Sequence, residues 1–497
     1  MRACLGHAPA LASARQTAKR ERRGMKVKAI LLAGALAITG QAAAQDTATR
    51  DLTPHEQRVR DIYRDIIAFR SAAGQEQVDD EVAYLKGRLA EAGFAEEDLM
   101  VTDYDSNGNA TQGLIVRYRG DGSSGEKPIV LLAHMDVVDA LPEDWERDPF
   151  TLVEEDGYFF GRGTQDNKYG VANLTGTFIR LKEEGWMPNR DLYLAFSGDE
   201  ETGMISTRAQ AKWVAENVDP AYVLNSDAGG IGLADDFSPI AQQVQLAEKT
   251  YVTFDITAAN PGGHSSRPRP DNAIYDLAAA LTRISQHAFP VRESELTRSY
   301  FAAMGQSIPG ELGAAMRAFA ADPADAAAIA TISADPGFVG TLRTTCVATM
   351  LKAGHAENAL PQSATATVNC RVFPGEGVES VKAALEQAIG NEAISVTQRA
   401  EATESAMSSF PDEVREALAK SLAARFGRPI PMVPTMSSGG TDGMHYRALG
   451  YDTIAIGAGA SRSQDIYAHG LNERMRVDAF YAGLDHWSIV LKELAGD

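Results

Sequence analysis

Apolar and polar residues follow two different periods in the first half of the chain. Residues 55–71 and 79–93 repeat apolar positions every three or four residues, which predicts two amphipathic helices. Short apolar runs then alternate with further helical patterns. The predicted strands are residues 128–138, 190–198 and 221–226, and the predicted helices between them are residues 167–186 and 206–218. Strands that alternate with helices are typical of a mainly parallel sheet with helices on both faces.

The pattern changes from about Lys249. The order becomes strand, helix, strand, strand, helix, strand, which is typical of a small α+β domain with a split βαβ topology. The strands are predicted at residues 249–258, 341–352, 364–373 and 393–400, and the helices at residues 272–286 and 378–390. An alanine-rich stretch at residues 302–333 is predicted to be helical. Because a further histidine-bearing cluster follows this region, we interpret the region as an insertion.

The N-terminal segment has the layout of an export signal. Met25 is followed by two lysines, an apolar run from Ala29 to Ile38 and small residues that end at Ala44. The apolar run is too short to span a membrane as a helix. We therefore expect export to the periplasm or the extracellular space, with an uncleaved anchor as the alternative.

Charge and cysteine content narrow the classes of protein further. The formal net charge of −20 gives no support to binding of nucleic acid or of an anionic membrane, which would need basic surfaces. Only Cys346 and Cys370 follow the predicted signal. If the two strands that carry them pair antiparallel about Asn358, the cysteines face each other. A disulfide and two buried free thiols both remain open.

Five clusters of acidic and histidine residues lie on loops that follow or separate apolar runs. They read LLAHMDVVDA (131–140), GRGTQDNKYG (161–170), SGDEETG (197–203), LNSDAGG (224–230) and YAHGLNER (467–474). In sheets of this kind, ligands bind at the carboxyl ends of the strands. Two histidines and several carboxylates form a ligand set that suits paired Zn²⁺ ions. The clusters together indicate a dinuclear metallohydrolase.

Residue types and positions suggest different roles within these clusters. His134 and Asp136 lie two apart on one side of a strand, so the aspartate can hold the second ring nitrogen of a ligand histidine. Asp166 precedes a helix and can bridge two cations, or it is an ordinary N-cap. Glu200 and Glu201 are adjacent, so one can bind metal while the other acts as a base; surface acids are the alternative.

In this order, the clusters resemble the co-catalytic zinc metallopeptidases that include glutamate carboxypeptidase, aminoacylase, succinyl-diaminopimelate desuccinylase and carnosinase. The resemblance runs from about residue 55 to the C-terminus and implies two Zn²⁺ per subunit, with Co²⁺ or Mn²⁺ as substitutes. The implied roles are His134 and Asp227 on one zinc, Glu201 and His469 on the other, Asp166 as the bridge, Glu200 as the general base and Asp136 as the partner of the first histidine. The acid that often follows the bridging aspartate is Asn167 here.

The region interpreted as an insertion carries further matches to the family. His264 resembles a histidine that stabilises the oxyanion, which in dimeric relatives comes from the partner subunit. Asn358 and Arg371 resemble residues that hold the free carboxylate of the substrate, a task that suits the planar fork of arginine. After the insertion, in the second part of the catalytic domain, Ser438 and Gly439 resemble a substrate-side loop of the family. An exposed turn histidine and a salt-bridged arginine are the alternatives at His264 and Arg371.

The sequence therefore predicts an α/β fold of the zinc exopeptidase type, a mainly parallel twisted sheet flanked by helices, with an inserted α+β ferredoxin-like domain for a lid or for dimerisation. We expect an extension and signal peptide at residues 1–44, a catalytic domain at 45–248 and 401–497, and the insertion at 249–400. A chain of 497 residues exceeds a comfortable single core, which fits two domains.

The expected activity is that of a secreted zinc-dependent amide-bond hydrolase, a metallo-carboxypeptidase or dipeptidase that cleaves next to a free C-terminal amino acid. An N-acyl amino acid hydrolase of the aminoacylase type is the main alternative, and a non-catalytic binding protein is a remote one. The expected partners are a peptide or N-acyl amino acid substrate, with no nucleic acid and no membrane after signal removal. A homodimer through the insertion and a monomer both remain open, because the insertion resembles the dimerising domain of some relatives but residues 302–333 can block that surface.

Overall fold

The structure of the protein, a computed structural model, describes residues 51–496. The predicted extension and signal peptide lie outside the described residues. The helices in this part of the chain are α1 (Pro54–Ala68), α2 (Val78–Glu91), α3 (Lys168–Glu183), α4 (Ile205–Asn217), α5 (Ala273–Gln286), α6 (Glu295–Ser307), α7 (Gly310–Ala321), α8 (Ala326–Ser333), α9 (Val339–Leu342), α10 (Val378–Ile389), α11 (Asp412–Phe426), α12 (Gly443–Ala448) and α13 (Val477–Ala495). None of these helices is both long and apolar enough to cross a bilayer.

The strands form one large sheet, one four-stranded sheet and two small ones. They are β1 (Leu99–Ser106), β2 (Asn109–Tyr118), β3 (Ile129–His134), β4 (Val153–Glu155), β5 (Tyr158–Phe160), β6 (Leu192–Ser197), β7 (Tyr222–Asn225), β8 (Gly230–Leu233), β9 (Pro239–Glu248), β10 (Thr250–Ala259), β11 (Gly263–His264), β12 (Thr345–Ala353), β13 (Ala359–Leu360), β14 (Ser363–Val372), β15 (Ile394–Gln398), β16 (Met432–Ser437), β17 (Thr453–Ala455), β18 (Ala460–Ser461) and β19 (Arg474–Arg476).

The centre of the large sheet is parallel and buried on both faces. Its strand order is β1-β2-β6-β3-β7-β17-β9-β8-β18, with β16 paired to β9, and the run β6-β3-β7-β17 is parallel. Every residue of β3 is buried: Leu131 packs into a core with Phe178 and Trp487, and Leu132 packs into a second core with Val214. Helices therefore cover both faces, and the predicted α/β fold with a largely parallel central sheet is confirmed.

The register of the central strands brings the acidic clusters to one edge of the sheet. His134, the last residue of β3, pairs with Ser197, the last residue of β6. Leu132 of β3 pairs with Asn225, the last residue of β7. Because these strands are parallel and end together, the loops that follow them leave the sheet side by side.

The four-stranded sheet has the order β12-β14-β10-β15, and α5 and α10 pack on one of its faces. Its elements follow the chain as β10, α5, β12, β14, α10 and β15, which is the split βαβ order that the sequence predicts. Cys346 and Cys370 are cross-strand partners in β12 and β14 and form a disulfide. Of the two states left open by the sequence, the structure has the bonded one.

A helical segment, Glu295–Leu342, lies between α5 and β12. Its helices α6 to α9 share a small apolar core that includes Phe301, Phe319 and Ile332. The alanine-rich stretch is helical, as predicted, but the segment starts earlier because Ser294 caps α6: its side chain accepts a hydrogen bond from the Thr297 amide at 3.2 Å.

The hairpin of β1 and β2 is absent from the sequence prediction. Its turn contains Asn107 and Gly108, both with positive φ (55° and 90°), the conformation that an Asn-Gly pair adopts in a two-residue hairpin turn. Much of β1 is exposed or only partly buried, so it lacks the continuous apolar run by which the buried strands were found. The turn residues were the available signal.

Candidate metal centre

One histidine and two aspartates meet at the carboxyl edge of the large sheet. His134 Nε2 lies 3.0 Å from Asp166 Oδ1 and 3.4 Å from Asp227 Oδ1. His134 ends β3, Asp227 follows β7, and Asp166 lies in the loop before α3, where the Asp166–Asn167 peptide bond is cis. All three side chains therefore converge from separate elements onto one point, as a cation site requires.

A second histidine meets two acids beside the first group. His469 Nε2 lies 2.8 Å from Glu201 Oε1 and 3.1 Å from Asp166 Oδ2. Glu201 is on the loop after β6, and His469 is on the loop before β19 with a positive φ of 60°. The second oxygen of Asp166 is therefore shared with this group, while its first oxygen faces His134.

The donor atoms fit two zinc-like ions that share Asp166. Within each group the candidate ligand atoms lie within 4.8 Å of one another. Atoms bound to one tetrahedral zinc at about 2.0–2.2 Å lie roughly 3.3 Å apart, close to the separations seen here. Imidazole nitrogens with carboxylate oxygens also suit Zn²⁺, Co²⁺ and Mn²⁺. The predicted set of His134, Asp166, Glu201, Asp227 and His469 is thus brought together in the predicted pairing.

Burial and neighbouring carboxylates shift the pKa values of the groups in this cluster. Burial raises the pKa of Asp227 to about 7, and burial also raises the pKa of Glu200 well above its ordinary value. Hydrogen bonds to Asp166 and Glu201 raise the pKa of His469 to about 10. Burial opposes a charge on His134, yet the nearby aspartates, with Asp227 first, raise its pKa well above the usual value. Cations are the natural partners of such a group.

Glu200 is placed to act on a group between the two metal positions. Its carboxylate lies within 4.8 Å of ligand atoms of His134 and Glu201, and the residue is only 9% exposed. It follows β6 directly before Glu201, and both acids lie close to His134, whereas only Glu201 is also grouped with Asp166 and His469. Glu200 is therefore near the reacting position without being in the groups that contain Asp166.

Asp136 supports the centre differently from the prediction. Its carboxylate oxygens accept hydrogen bonds from the amides of Glu200 and Glu201, both at 3.0 Å. The atom nearest to His134 Nδ1 is the main-chain carbonyl of Asp136 at 2.9 Å, whereas its carboxylate Oδ1 is 3.6 Å away. The Asp136 carboxylate is bonded to these two amides, and the hydrogen bond to the imidazole of His134 is made by the main-chain carbonyl of Asp136 instead. Asp136 orients both the histidine and the Glu200–Glu201 loop.

A buried glutamate, which the sequence prediction omits, clamps the loop of the bridging aspartate. Glu473 accepts hydrogen bonds from the amides of Gln165 (2.6 Å), Asp166 (3.0 Å) and Gly163 (3.1 Å), and from Arg162 Nη1 at 2.7 Å. Arg162 Nη2 also lies 3.4 Å from the carbonyl oxygen of His469. This pair therefore ties two ligand loops together. Glu473 belongs to the fifth cluster, but a turn acid next to an arginine gives no sign of burial.

Two further buried aspartates that the prediction omits hold the loops around the metal ligands. Asp199 accepts from the amides of Ile205 (2.7 Å) and Ser206 (2.9 Å) and thereby fixes the turn that carries Glu200 and Glu201. Asp442 accepts from Ser197 at 2.7 Å, at the end of β6. Asp199 lies in the SGDEETG cluster and Asp442 lies three residues after Gly439 of the predicted substrate-side loop, and both are buried.

The structure does not bring His264 and Asn358 to the metal ligands. They lie together in a small ribbon in which β11 pairs with β13, and the Ser265 amide donates to the Asn358 carbonyl oxygen at 3.0 Å. His264 is exposed, and its Nδ1 lies 2.8 Å from Ser266 Oγ. Among residues 51–496, no described contact joins His264 to the metal centre.

Arg371, Ser438 and Gly439 are brought together at the junction of the two larger sheets. Arg371 Nη1 donates to the Ser438 carbonyl oxygen, and its guanidinium lies 4.6 Å from the ring centre of Tyr251. Ser438 and Gly439 are exposed, and the Gly439 amide donates to Ser437 Oγ at 3.0 Å. The alternative of a salt-bridged arginine is not seen in the described residues, so the guanidinium has no carboxylate partner.

The α/β sheet with two groups of candidate metal ligands at its carboxyl edge is typical of a metal-dependent hydrolase. The model of the family "Peptidase family M20/M25/M40" matches residues 130–493. The chain belongs to this family of metal-dependent peptidases and related hydrolases.

Its relatives include both peptidases and acylases. The chain is 30% identical over 369 residues to the N-fatty-acyl-amino acid synthase/hydrolase PM20D1 of Xenopus tropicalis, which covers 71% of this chain and 69% of the relative. It is 28% identical over 394 residues to the probable carboxypeptidase S-like 2 of Dictyostelium discoideum, which covers 77% and 74%. The fold is similar to that of the M20 metallo-carboxypeptidase Sso-CP2 of Sulfolobus solfataricus, with a TM-score of 0.64, 19% identity and coverage of 89% and 99%.

Proposed function

We propose that the protein is a dinuclear zinc hydrolase that cleaves an amide bond next to a free C-terminal amino acid, as a carboxypeptidase or dipeptidase. The observation that carries this proposal is Asp166, whose two oxygens face two separate groups of a histidine and an acid. The unpaired guanidinium of Arg371 beside the Ser438 loop supports a carboxylate-binding pocket. Relatives named as carboxypeptidases support the substrate class.

The residues divide the chemistry among them. When bound, the metal pair supplies Lewis acidity to the scissile carbonyl group and to the attacking water. Glu200 takes the proton of that water on its carboxylate and returns it to the leaving amine. Asp136 keeps Glu200 in place through the two amide hydrogen bonds. His264, delivered by this chain or by a partner subunit, donates to the developing oxyanion, and Arg371 with Asn358 holds the carboxylate of the substrate.

Hydrolysis of N-acyl amino acids is the second candidate. The relative PM20D1 is named an N-fatty-acyl-amino acid synthase/hydrolase, and such substrates also end in a free carboxylate. The metal centre and the anchor would be used in the same way, and only the group on the other side of the amide bond differs.

Matched substrate pairs test both candidates. Dipeptides and N-acyl amino acids, each with a free and an amidated C-terminus, are offered to the zinc-loaded protein. We expect cleavage of the free acids only, lost on treatment with a chelator and regained with zinc. The ratio of rates between the two series then separates peptidase from acylase. Equal cleavage of the amides would contradict the carboxylate anchor.

Export and dimerisation are parts of the same proposal. The disulfide of Cys346 and Cys370 supports an oxidising compartment, where such bonds persist. Fractionation of cells that express the full chain, compared with a variant lacking residues 1–44, tests export.

On the edge strand β12, Val347, Met350 and Leu351 are each more than 60% exposed, which supports a homodimer through this layer. Sedimentation of a Met350→Glu variant tests it: a monomer is expected from this variant and a dimer from the wild type.

A further inference from the structure

The helical segment Glu295–Leu342 contacts both larger sheets. At its start, α6 packs along β16, and Leu296 lies in the main core of the large sheet, with Met436 packed against it. At its end, the Arg292 amide donates to the Leu342 carbonyl oxygen at 2.8 Å, and the chain continues into β12 of the four-stranded sheet. The segment therefore bridges the two layers at the side where the Ser438 loop lies.

Lys249 connects the end of this segment to the Ser438 loop. The residue lies where the chain passes from β9 of the large sheet to β10 of the four-stranded sheet, and it is 3% exposed. Its Nζ donates to the carbonyl oxygens of Gly340 (2.9 Å) and Arg343 (2.8 Å). Its amide donates to the Ser437 carbonyl oxygen at 2.9 Å. One buried residue thus holds both segments.

Helix α9 reaches the loop directly at Gly340. A Cβ atom at Gly340 would lie 3.6 Å from Lys249 Nζ and 3.8 Å from Ser438 Oγ. A methyl group would make ordinary contact there, whereas a branched side chain would press on Ser438. The carbonyl oxygen of Ser438 is the acceptor for Arg371, so a shift of this loop moves the acceptor that orients the guanidinium.

Lys249 and Arg371 also make this place positive in an acidic protein. The net charge of the chain is −20, yet within residues 51–496 neither cation forms a described ion pair. Burial and then the charge of Arg371 lower the pKa of Lys249 to about 8. Glu376 is a nearby acid that opposes this shift, but it is already bonded to Arg292 and to the Thr344 hydroxyl. Two neighbouring cations therefore still favour a further anion beside them, because a low-dielectric surrounding strengthens the attraction.

We infer that Lys249 is a positioning residue of the carboxylate pocket and that the helical segment forms one wall of it. Lys249 fixes the last turn of the segment against Ser438 and adds a second positive charge near Arg371. The inference rests on the proposed function, since the anion in question is the free carboxylate of the substrate.

Kinetics of two Lys249 variants test the positioning role. Lys249→Met keeps the aliphatic stem and removes the ammonium group, while Lys249→Arg keeps the charge. For a substrate with a free carboxylate, we expect the methionine variant to raise KM about tenfold with kcat within about twofold, and the arginine variant to recover most of the loss. The exposed Lys212→Met, on α4, is the control and should behave as the wild type. A loss of kcat without a change in KM would overturn the inference.

A measurement without substrate separates this inference from the proposed function. Hydrogen exchange of residues 339–344 should be faster in Lys249→Met than in the wild type, because the carbonyl oxygens of Gly340 and Arg343 lose the ammonium donor. Residues 437–440 keep the hydrogen bond from the Lys249 main-chain amide, so a smaller increase is expected there. Unchanged exchange at residues 339–344 would overturn the role of Lys249, whatever the enzyme cleaves. By contrast, a wild type that cleaves amidated substrates equally well contradicts the proposed function.

A second variant, at Gly340 of α9, tests the helical wall of the same pocket. Gly340→Leu keeps the ammonium group of Lys249 and fills the space beside it and Ser438. We expect the same rise in KM for free-carboxylate substrates, with metal content unchanged by elemental analysis. A normal KM in this variant would show that α9 is not a wall of the pocket.

Discussion

The edge of the large sheet that carries the candidate metal ligands, and the four-stranded sheet with its ribbon, are built in opposite ways. At the edge, buried carboxylates hold the ligand loops: Asp136, Asp199 and Glu473 each accept at least two hydrogen bonds from loop backbone amides. In the second region, His264 and Asn358 are exposed, and their described contacts are with near neighbours in the ribbon.

The contrast separates preorganised chemistry from adaptable recognition. A metal centre needs donors fixed within a few tenths of an ångström. Hydrogen-bond networks therefore order the loops that carry the donors when the protein folds, before a metal binds. Residues that meet the substrate can instead be positioned when it binds or when another subunit joins. Changes at the edge should therefore affect metal and turnover, and changes in the second region should affect substrate binding or the oxyanion alone.

The largest effect is expected from Glu200→Gln. The variant keeps the shape of the side chain and the hydrogen bond of its amide to Asp136 but removes the base. We expect kcat to fall by about 10²–10⁴-fold with two metal equivalents retained, measured by steady-state kinetics and elemental analysis. The matched control is the neighbouring Glu201→Gln, which should lose one equivalent. Near-normal turnover of Glu200→Gln would remove it as the base.

His264→Ala is expected to have the next largest effect. Loss of an oxyanion donor lowers kcat by about 10²–10³-fold, and metal content and unfolding free energy should not change because the side chain is exposed. Mixing this variant with Glu200→Gln shows which subunit supplies the histidine. Recovered activity in the mixture means that it comes from a partner, and an inactive mixture means that each chain uses its own His264. A fully active His264→Ala would leave the ribbon without a chemical role.

Much of the central fold could be predicted because its signals are local. Buried parallel strands such as β3 read as continuous apolar runs, and their ends place His134 and Asp227 on loops at one edge. The pairing of the ligands, however, came from the resemblance, because the sequence does not state which loop faces which. The structure adds this through the register of β3 with β6 and β7.

The residues that hold the ligand and substrate loops were not predicted from the sequence, and the reason is physical. Glu473 and Asp442 are ordinary polar residues in turn-like sequences, and only tertiary packing makes them buried and multiply bonded. Lys249 is similar, because from the sequence a lysine between two strands is expected at the surface. In the structure it is buried, and the carbonyl oxygens of Gly340 and Arg343, about 90 residues later in the chain, accept its hydrogen bonds. Positioning roles of this kind depend on long-range contacts that periodicity does not reveal.

Glu473→Gln tests whether the edge depends on its clamp. The change removes the charge that faces Arg162 and one acceptor for the Asp166 loop, so we expect zinc affinity to fall about 10- to 100-fold, measured by competition with a chromogenic chelator. Because an unpaired buried arginine also destabilises the fold, the double variant with Arg162→Met keeps the test valid. The matched control is Glu376→Gln, a buried acid of the second region that pairs with Arg292. An equal loss of zinc affinity in Glu376→Gln would contradict the claim that zinc binding depends on the edge of the large sheet and not on the second region.

The smallest effect on turnover is expected from removing the disulfide. It joins adjacent strands of the second region, and closing a loop of 24 residues stabilises a protein by about 3 kcal/mol relative to the open chain. The double variant Cys346→Ala/Cys370→Ala should therefore unfold at lower denaturant concentration, while its kcat and zinc content under native conditions stay at wild-type values. Reduction of the wild type should give the same shift in the unfolding midpoint. Loss of zinc from the folded variant would instead show that the candidate metal-binding edge depends on the second region, which contradicts the independence of the two regions.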